Sequence, residues 1–308
     1  MAAVGLSLPA GAPDAPAPRR EPRKLLAGLV GAGIQRSLTP ALHEEEARAQ
    51  GLCLHYQLID LDVCGQGVEA LPTLITAARA MGFAGLNVTY PCKQAVIPLL
   101  AGLSDEAEAI GAVNTVVFER GRATGHNTDA PGWRWGFERD LPGADLRRVV
   151  LLGAGGAGSA IAPVLLRMGA GRLVVVDAEP QRAAALAASL AARHGAGRVQ
   201  AAVDAADALA DASGLVHATP TGMDKLPGMP IDPALLQPSM WVSEIVYFPL
   251  ETALVKAARS RGCRVADGGG MAVGQAVGAF RLFTGLEPDR ARMDAHFRRL
   301  LARRGEAP

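Results

Sequence analysis

Short apolar runs alternate with longer stretches of helical spacing along most of the chain. Leu25 to Val30 is an apolar run closed by Gly31, as a buried strand is, and Pro40 then opens a helix running towards Gly51. Tyr56 to Leu61 reads as a second strand, Ala70 to Met81 as a helix and Phe83 to Val88 as a third strand. Helices are predicted over Lys93 to Leu100 and Ser104 to Ile110. Ala112 to Phe118 and Arg122 to Gly125 form a hairpin turning at Arg120-Gly121, and a helix spans Pro131 to Asp140.

From Val149 the pattern tightens. The apolar strand Val149 to Leu152 runs into Gly153-Ala154-Gly155-Gly156-Ala157-Gly158, an Ala/Leu-rich helix follows to Met168, and a strand from Leu173 to Val176 ends at Asp177. Strand, G-x-G-x-x-G, helix, strand and acid within about thirty residues is the order a dinucleotide-binding βαβ unit requires. Its glycines let the backbone turn sharply and approach a pyrophosphate, whose charge rests on the helix N-terminus. Further strands at Gly214 to Ala218 and Trp241 to Val246 end at Thr219 and Tyr247. In an open parallel sheet ligands lie beyond such carboxyl ends, so these two face the nicotinamide half of the crevice. A helix over Leu250 to Ser260 and a strand at Arg264 to Ala266 lead to Gly268-Gly269-Gly270, read as a hinge. The last helices, Met271 to Thr284 and Pro288 to Arg303, then pack back onto the first half.

This is an α/β chain of two domains, and composition agrees. Of 308 residues 49% are apolar and only 4% aromatic, and the net charge is +1, so neither a nucleic acid nor a membrane surface is an expected partner. No apolar run reaches the ~18 residues of a membrane span. The first 22 residues, rich in Ala, Pro and Gly, cannot bury a core and are expected to be a disordered tail. Cys53, Cys64, Cys92 and Cys263 have no metal-site spacing and read as free thiols of a reducing, cytoplasmic compartment, with no metal.

Only four of the 31 basic residues are lysines, and one of them, Lys93, ends the polar run Asn87-Val88-Thr89-Tyr90-Pro91-Cys92-Lys93 just past a strand. Lysine can give up its proton in a suitable setting and arginine effectively cannot, so this position suggests proton handling. A solvated lysine opening a helix is the plain alternative. At the other end of the fold, Asp177 offers a carboxylate to the adenosine ribose hydroxyls and repels a 2′-phosphate. Ala178 and Glu179 follow it, and Arg182 lies one helical turn further on, facing solvent. NAD is therefore the expected cofactor.

Five ordered motifs carry a resemblance: Asn87-Val88-Thr89-x-Pro91-x-Lys93, Gly111-Ala112-Val113-Asn114-Thr115, Gly125-x-Asn127-Thr128-Asp129, Ala218-Thr219-Pro220-x-Gly222-Met223 and Gly274-Gln275-Ala276. From Leu25 to Leu301 the chain resembles the shikimate/quinate dehydrogenase family. The resemblance implies a substrate-binding domain over 23–128 completed by 268–305, and a Rossmann-type domain over 129–267. It implies that Lys93 and Asp129 are the catalytic pair. It implies a substrate pocket of Ser37, Thr39, Asn87, Thr89, Asn114, Tyr247 and Gln275, with Ser37 and Thr39 on the carboxylate. The cofactor set comprises Gly153, Ala154, Gly155, Gly156, Ala157, Gly158, Asp177, Arg182, Thr219, Val246, Gly268 and Met271.

The departures matter. Biosynthetic members carry serine at both hydroxyl positions and Asn-Arg-Thr after the second Rossmann strand; this chain has Thr39 and Asp177-Ala178-Glu179. Both changes resemble the NAD-using quinate/shikimate dehydrogenases. His217 stands in place of the usual asparagine and Glu244 in place of the usual aspartate, with no chemical reason visible in the sequence. The expected reaction is oxidation of the C3 hydroxyl of quinate or shikimate by NAD. An NADP-linked shikimate enzyme, an aminoshikimate or aminoquinate dehydrogenase, and a non-catalytic dinucleotide sensor are the alternatives. Homodimer and monomer both remain open.

Overall fold

A computed structural model describes residues 23–304; the Ala/Pro/Gly-rich segment 1–22 lies outside them. The strands, in chain order, are β1 (Lys24–Gly31), β2 (Cys53–Asp60), β3 (Gly85–Val88), β4 (Gly102–Leu103), β5 (Thr115–Glu119), β6 (Arg122–His126), β7 (Arg148–Leu152), β8 (Arg172–Val176), β9 (Val199–Ala202), β10 (Gly214–His217), β11 (Trp241–Glu244) and β12 (Arg264–Ala266). They form two six-stranded sheets.

The first sheet has the order β2-β1-β3-β5-β6-β4. β1 is parallel to both β2 and β3, whereas β5 and β6 form the antiparallel hairpin expected from sequence. Arg120 and Gly121, at φ +50° and +76°, supply the two left-handed residues that a two-residue hairpin turn needs. The second sheet, β12-β11-β10-β7-β8-β9, is parallel throughout. Its central strands are buried along almost their whole length, as they must be with helices on both faces. The strand order reverses between β7 and β10, the place where such sheets open a ligand crevice.

Two local expectations need correction, and one strand escaped the reading. Lys93 to Leu100 is not one helix: a turn at Cys92–Ala95 gives way to a 3₁₀ turn at Ile97–Leu99, where Pro98 brings no amide hydrogen to continue the α ladder. β9 carried too little apolar patterning to read, since two of its four residues are exposed, while Arg182 lies in the helix Pro180–His194, as expected. Gly268 to Gly270 are no hinge but the first turn of the helix Gly268–Thr284, with Asp267 capping Gly269 N at 3.0 Å. These glycines answer to crowding: a Cβ on Gly268 would lie 2.3 Å from the Val246 carbonyl oxygen, and one on Gly270 would lie 2.7 Å from Gly136 Cα.

The same crowding joins the halves of the molecule. The helix Asp129–Asp140 crosses Gly268–Thr284 backbone to backbone, Gly132 and Gly136 against Gly274 and Gly270. The C-terminal helix Arg290–Arg303 returns to the first half, as expected. The buried Glu46 carboxylate holds it there, accepting from Arg292 Nη2 at 2.6 Å, Arg292 Nε at 2.7 Å and Asp289 N at 2.9 Å. No helix of the described residues is long and apolar enough to cross a membrane.

Candidate active site

The catalytic candidates sit just past strand ends. β3 ends in Asn87 and Val88, and Thr89 leads to the short turn carrying Lys93. The Val113 amide donates to the Lys93 carbonyl at 2.9 Å, which holds the lysine turn against the entry to β5. β6 ends at His126, and Asn127 then accepts the Asp129 amide at 3.0 Å, starting the helix on Asp129. These two turns bring Lys93 Nζ to 2.5 Å from Asp129 Oδ2. The Asp129 side chain is 8% exposed and that of Lys93 25%, so the pair is largely buried, with the lysine reaching partly to solvent.

Behind the pair lies a fully bonded amide-hydroxyl layer. Asn114 Nδ2 donates to Asp129 Oδ1 and to Thr128 Oγ1, both at 2.9 Å, while its Oδ1 accepts the Thr128 amide at 2.8 Å and the Thr115 hydroxyl at 3.0 Å. Asn87 Nδ2 donates to Thr115 Oγ1 at 3.0 Å, and its Oδ1 accepts the Tyr56 hydroxyl at 2.6 Å. Every side chain in the layer is thereby fixed in rotamer and amide orientation. Burial, and then the nearby Tyr247, push the Tyr56 hydroxyl well above its ordinary pKa. Tyr247 leaves 40% of its surface exposed at the cleft mouth. Burial first, and then the charge of Asp129, raise the pKa of its hydroxyl.

Ser37 and Thr39 lie on the loop after β1. Ser37 Oγ donates to Thr39 Oγ1 at 3.0 Å and accepts the Thr39 amide at 3.2 Å, so the two hydroxyls form one unit. Thr39 is the first helical residue and Leu38 the cap, without a side-chain capping bond. The loop is shaped by Asp60 at the end of β2, whose carboxylate accepts from Gly33 N and Ile34 N at 2.9 Å and from Gln35 Nε2 at 3.1 Å. Burial alone would raise the Asp60 pKa, but these donors outweigh it and hold it low. Across the cleft Arg36 pairs with Asp224 at 2.8 Å, its guanidinium 4.4 Å above the Phe248 ring. The Ser37 loop therefore faces the segments after β10 and β11. Gln275 sits half-buried on the helix that crosses Asp129–Asp140, its amide nitrogen beside Gly132.

The dinucleotide crevice fits the group that the fingerprint implies. Gly153 has φ +108° and lies against Ala218, and a Cβ on Gly158 would lie 1.9 Å from the Gly153 carbonyl oxygen, so neither position admits a side chain. A Cβ on Gly155 or Gly156 would meet nothing, which leaves space above the first turn of the helix Gly156–Arg167, and Gly155 caps that turn with no side chain. Open amides at a helix N-terminus suit a pyrophosphate. Asp177 Oδ2 accepts Ala154 N at 2.7 Å and Oδ1 accepts Glu179 N at 2.8 Å, so the acid anchors the loop as well as bordering the crevice. Arg182, 59% exposed, is paired with Glu179 at 2.9 Å and turns away to solvent. Thr219 lies against Gly153, Gly268 against the Val246 carbonyl, and Met271 N against Gly136.

The structure joins Lys93, Asp129, Asn114 and, through Thr115, Asn87 in one bonded cluster, pairs Ser37 with Thr39, and turns Arg182 to solvent. Sequence reasoning missed Tyr56, Asp60 and Asn127. Asp60, an acid closing a strand, and Asn127, inside a quoted motif, carried a signal; Tyr56, on an alternating strand, carried none.

Comparison with known proteins agrees. The shikimate dehydrogenase substrate binding domain matches residues 29–116 and the shikimate 5′-dehydrogenase C-terminal domain residues 268–296, while the saccharopine dehydrogenase NADP binding domain matches 149–228. A shikimate dehydrogenase (NADP(+)) of Streptomyces avermitilis is 60% identical over 87% of this chain and 93% of its own. A quinate/shikimate dehydrogenase (NAD(+)) of Corynebacterium efficiens is 49% identical over 89% of this chain and 97% of its own. Quinate dehydrogenase from Corynebacterium glutamicum in complex with NAD superposes with a TM-score of 0.83 at 47% identity, covering 89% of this chain and 99% of the other. With these relatives matching nearly end to end and the Lys93–Asp129 cleft intact, the chain belongs to the shikimate/quinate dehydrogenase family.

Proposed function

We propose that this protein is an NAD-dependent quinate/shikimate dehydrogenase, oxidising the C3 hydroxyl of a ring acid to the ketone. The observation that carries the reading is the Lys93–Asp129 contact, set in a cleft between the hydroxyl-rich loop and the dinucleotide crevice. The bound dinucleotide supplies the hydride acceptor. The chain's own groups do the rest: Ser37 and Thr39 take the ring carboxylate, and Thr89, Tyr247 and Gln275 take ring hydroxyls. Asn87 and Asn114, expected there too, have their amides already bonded and hold the wall behind the pair. The C3 hydroxyl proton passes to the Lys93–Asp129 pair as hydride leaves the carbon. Asn114, bonded to Asp129 Oδ1, keeps the other carboxylate oxygen turned to the lysine. In this reading the substrate domain comprises residues 23–128 with 268–305 and the dinucleotide domain 129–267.

NAD is favoured over NADP by the carboxylates at the ribose end. Asp177 and Glu179 border the crevice there, and the nearest arginine, Arg182, is neutralised by Glu179. A 2′-phosphate would face the Asp177 carboxylate, with Arg182 held in its ion pair with Glu179. The relatives are divided on this point, the 60% identical one being named for NADP and the 49% identical one for NAD. The test of the chemistry is Lys93→Met: kcat should fall by roughly a hundredfold or more, with substrate binding changed far less. Wild-type activity in that variant would sink the proposal.

A further inference from the structure

One buried ionisable pair has no part in the chemistry above. His217 ends β10 and Glu244 ends β11, register partners on adjoining strands, and both side chains are 0% exposed. The Glu244 carboxylate accepts from four donors: His217 Nδ1 at 2.8 Å, Ile245 N at 2.9 Å, Val246 N at 3.0 Å and the Thr252 hydroxyl at 3.0 Å. A carboxylate in such company is acceptor only, so the ring proton on Nδ1 points at Glu244. The far ring nitrogen, Nε2, meets the Thr219 hydroxyl at 2.5 Å, and Thr219 Oγ1 also accepts the Thr221 amide at 3.3 Å. A ring that donates through Nδ1 can accept through Nε2, which turns the Thr219 proton inward; with the Thr221 amide on one lone pair, the other is left for a further donor.

Two strands already joined by backbone hydrogen bonds need no charged staple. What the network adds is the placement of the two segments just past them, Thr219 to Thr221 and Ile245 to Val246. Both segments lie on the far side of β7 from Asp177, Thr219 against Gly153 and Val246 against Gly268, where an open parallel sheet receives the second half of its dinucleotide.

We propose that His217 and Glu244 are a positioning pair for the nicotinamide end of the cofactor, acting through the Thr219 hydroxyl and the Val246 backbone. The proposal rests on the dehydrogenase reading and assigns the pair no contact with the reacting atoms. Its signature is selectivity: losing the pair loosens one end of the dinucleotide and leaves the other end held.

The experiment compares the full-length wild type with His217→Leu. NADH binding is followed by nicotinamide fluorescence, and ADP-ribose, which lacks the nicotinamide, by calorimetry. His217→Leu should bind ADP-ribose within about twofold of wild type but NADH about tenfold more weakly, and kcat should fall about tenfold while KM for shikimate moves less than about twofold. If the leucine variant does not fold, Thr219→Val, which removes only the hydroxyl at the end of the chain of bonds, carries the same expectation. Equal weakening of NADH and ADP-ribose, or no weakening of either, overturns the proposal. The titrations need no turnover. A wild type that oxidised neither ring acid would refute the dehydrogenase reading, while the two affinities would still decide whether the pair positions the nicotinamide end.

Discussion

Replacing Gly132 with alanine should uncouple the active site without touching any of its side chains. A Cβ built there lies 2.4 Å from Gln275 N, 2.8 Å from the Gly274 carbonyl carbon and 3.0 Å from Gln275 Cα. All three neighbours are backbone, so no rotamer change relieves the clash. Restoring ordinary contact at about 3.4 Å requires the helices Asp129–Asp140 and Gly268–Thr284 to part by roughly 1 Å (3.4 minus 2.4). Overpacking of this kind costs about 1–3 kcal/mol, and at ~2–4 °C per kcal/mol for chains of this order of size the melting temperature should drop by several degrees. One helix begins at Asp129 and the other carries Gln275. Their separation therefore shifts two candidate substrate contacts against each other, and misplacement near 1 Å can lower a rate by about a hundredfold. Differential scanning calorimetry and steady-state kinetics with shikimate read both effects. Wild-type melting together with wild-type kcat would refute the backbone contact and the coupling drawn from it.

Two further expectations follow from single residues. His43 is buried among Tyr56, Phe280 and Phe283, and desolvation outweighs its bond to the Thr39 carbonyl, lowering its pKa from 6.5 to about 4. Between those values the unfolded chain holds the extra proton, so its contribution is complete above pH 6.5 and is lost as pH falls towards 4. The full gap is worth roughly 3 kcal/mol. Urea midpoints at pH 7 and pH 4.5 should fall further in wild type than in His43→Gln, and equal falls would rule this out. Asp177→Asn keeps an acceptor for Ala154 N but removes the charge beside the ribose. Its kcat/KM with NAD should drop by about tenfold or more while that with NADP rises; an unchanged ratio would show that Asp177 does not select the cofactor.

The Rossmann half was legible because its signal is local. A buried parallel strand, a glycine turn and a helix occupy consecutive residues, and steric demand at Gly153 and Gly158 leaves no alternative residue there. The catalytic cleft was legible only through ordered motifs, since nothing in periodicity places Lys93 beside Asp129, 36 positions away. Gly268 to Gly270 misled because glycine serves both freedom and close approach, and only the facing Gly136 and Val246 carbonyl tell which. His217 and Glu244 were unreadable for a related reason. Their partners are each other, across two parallel strands 27 residues apart, with Thr219 and Thr252 completing the set.

The central claim, oxidation of a ring acid with NAD, is tested most directly by initial rates of the wild-type protein with quinate and shikimate, each against NAD and NADP. The account predicts turnover of at least one acid, with kcat/KM for NAD exceeding that for NADP by about tenfold or more. No oxidation of either acid, or a preference for NADP, would contradict it.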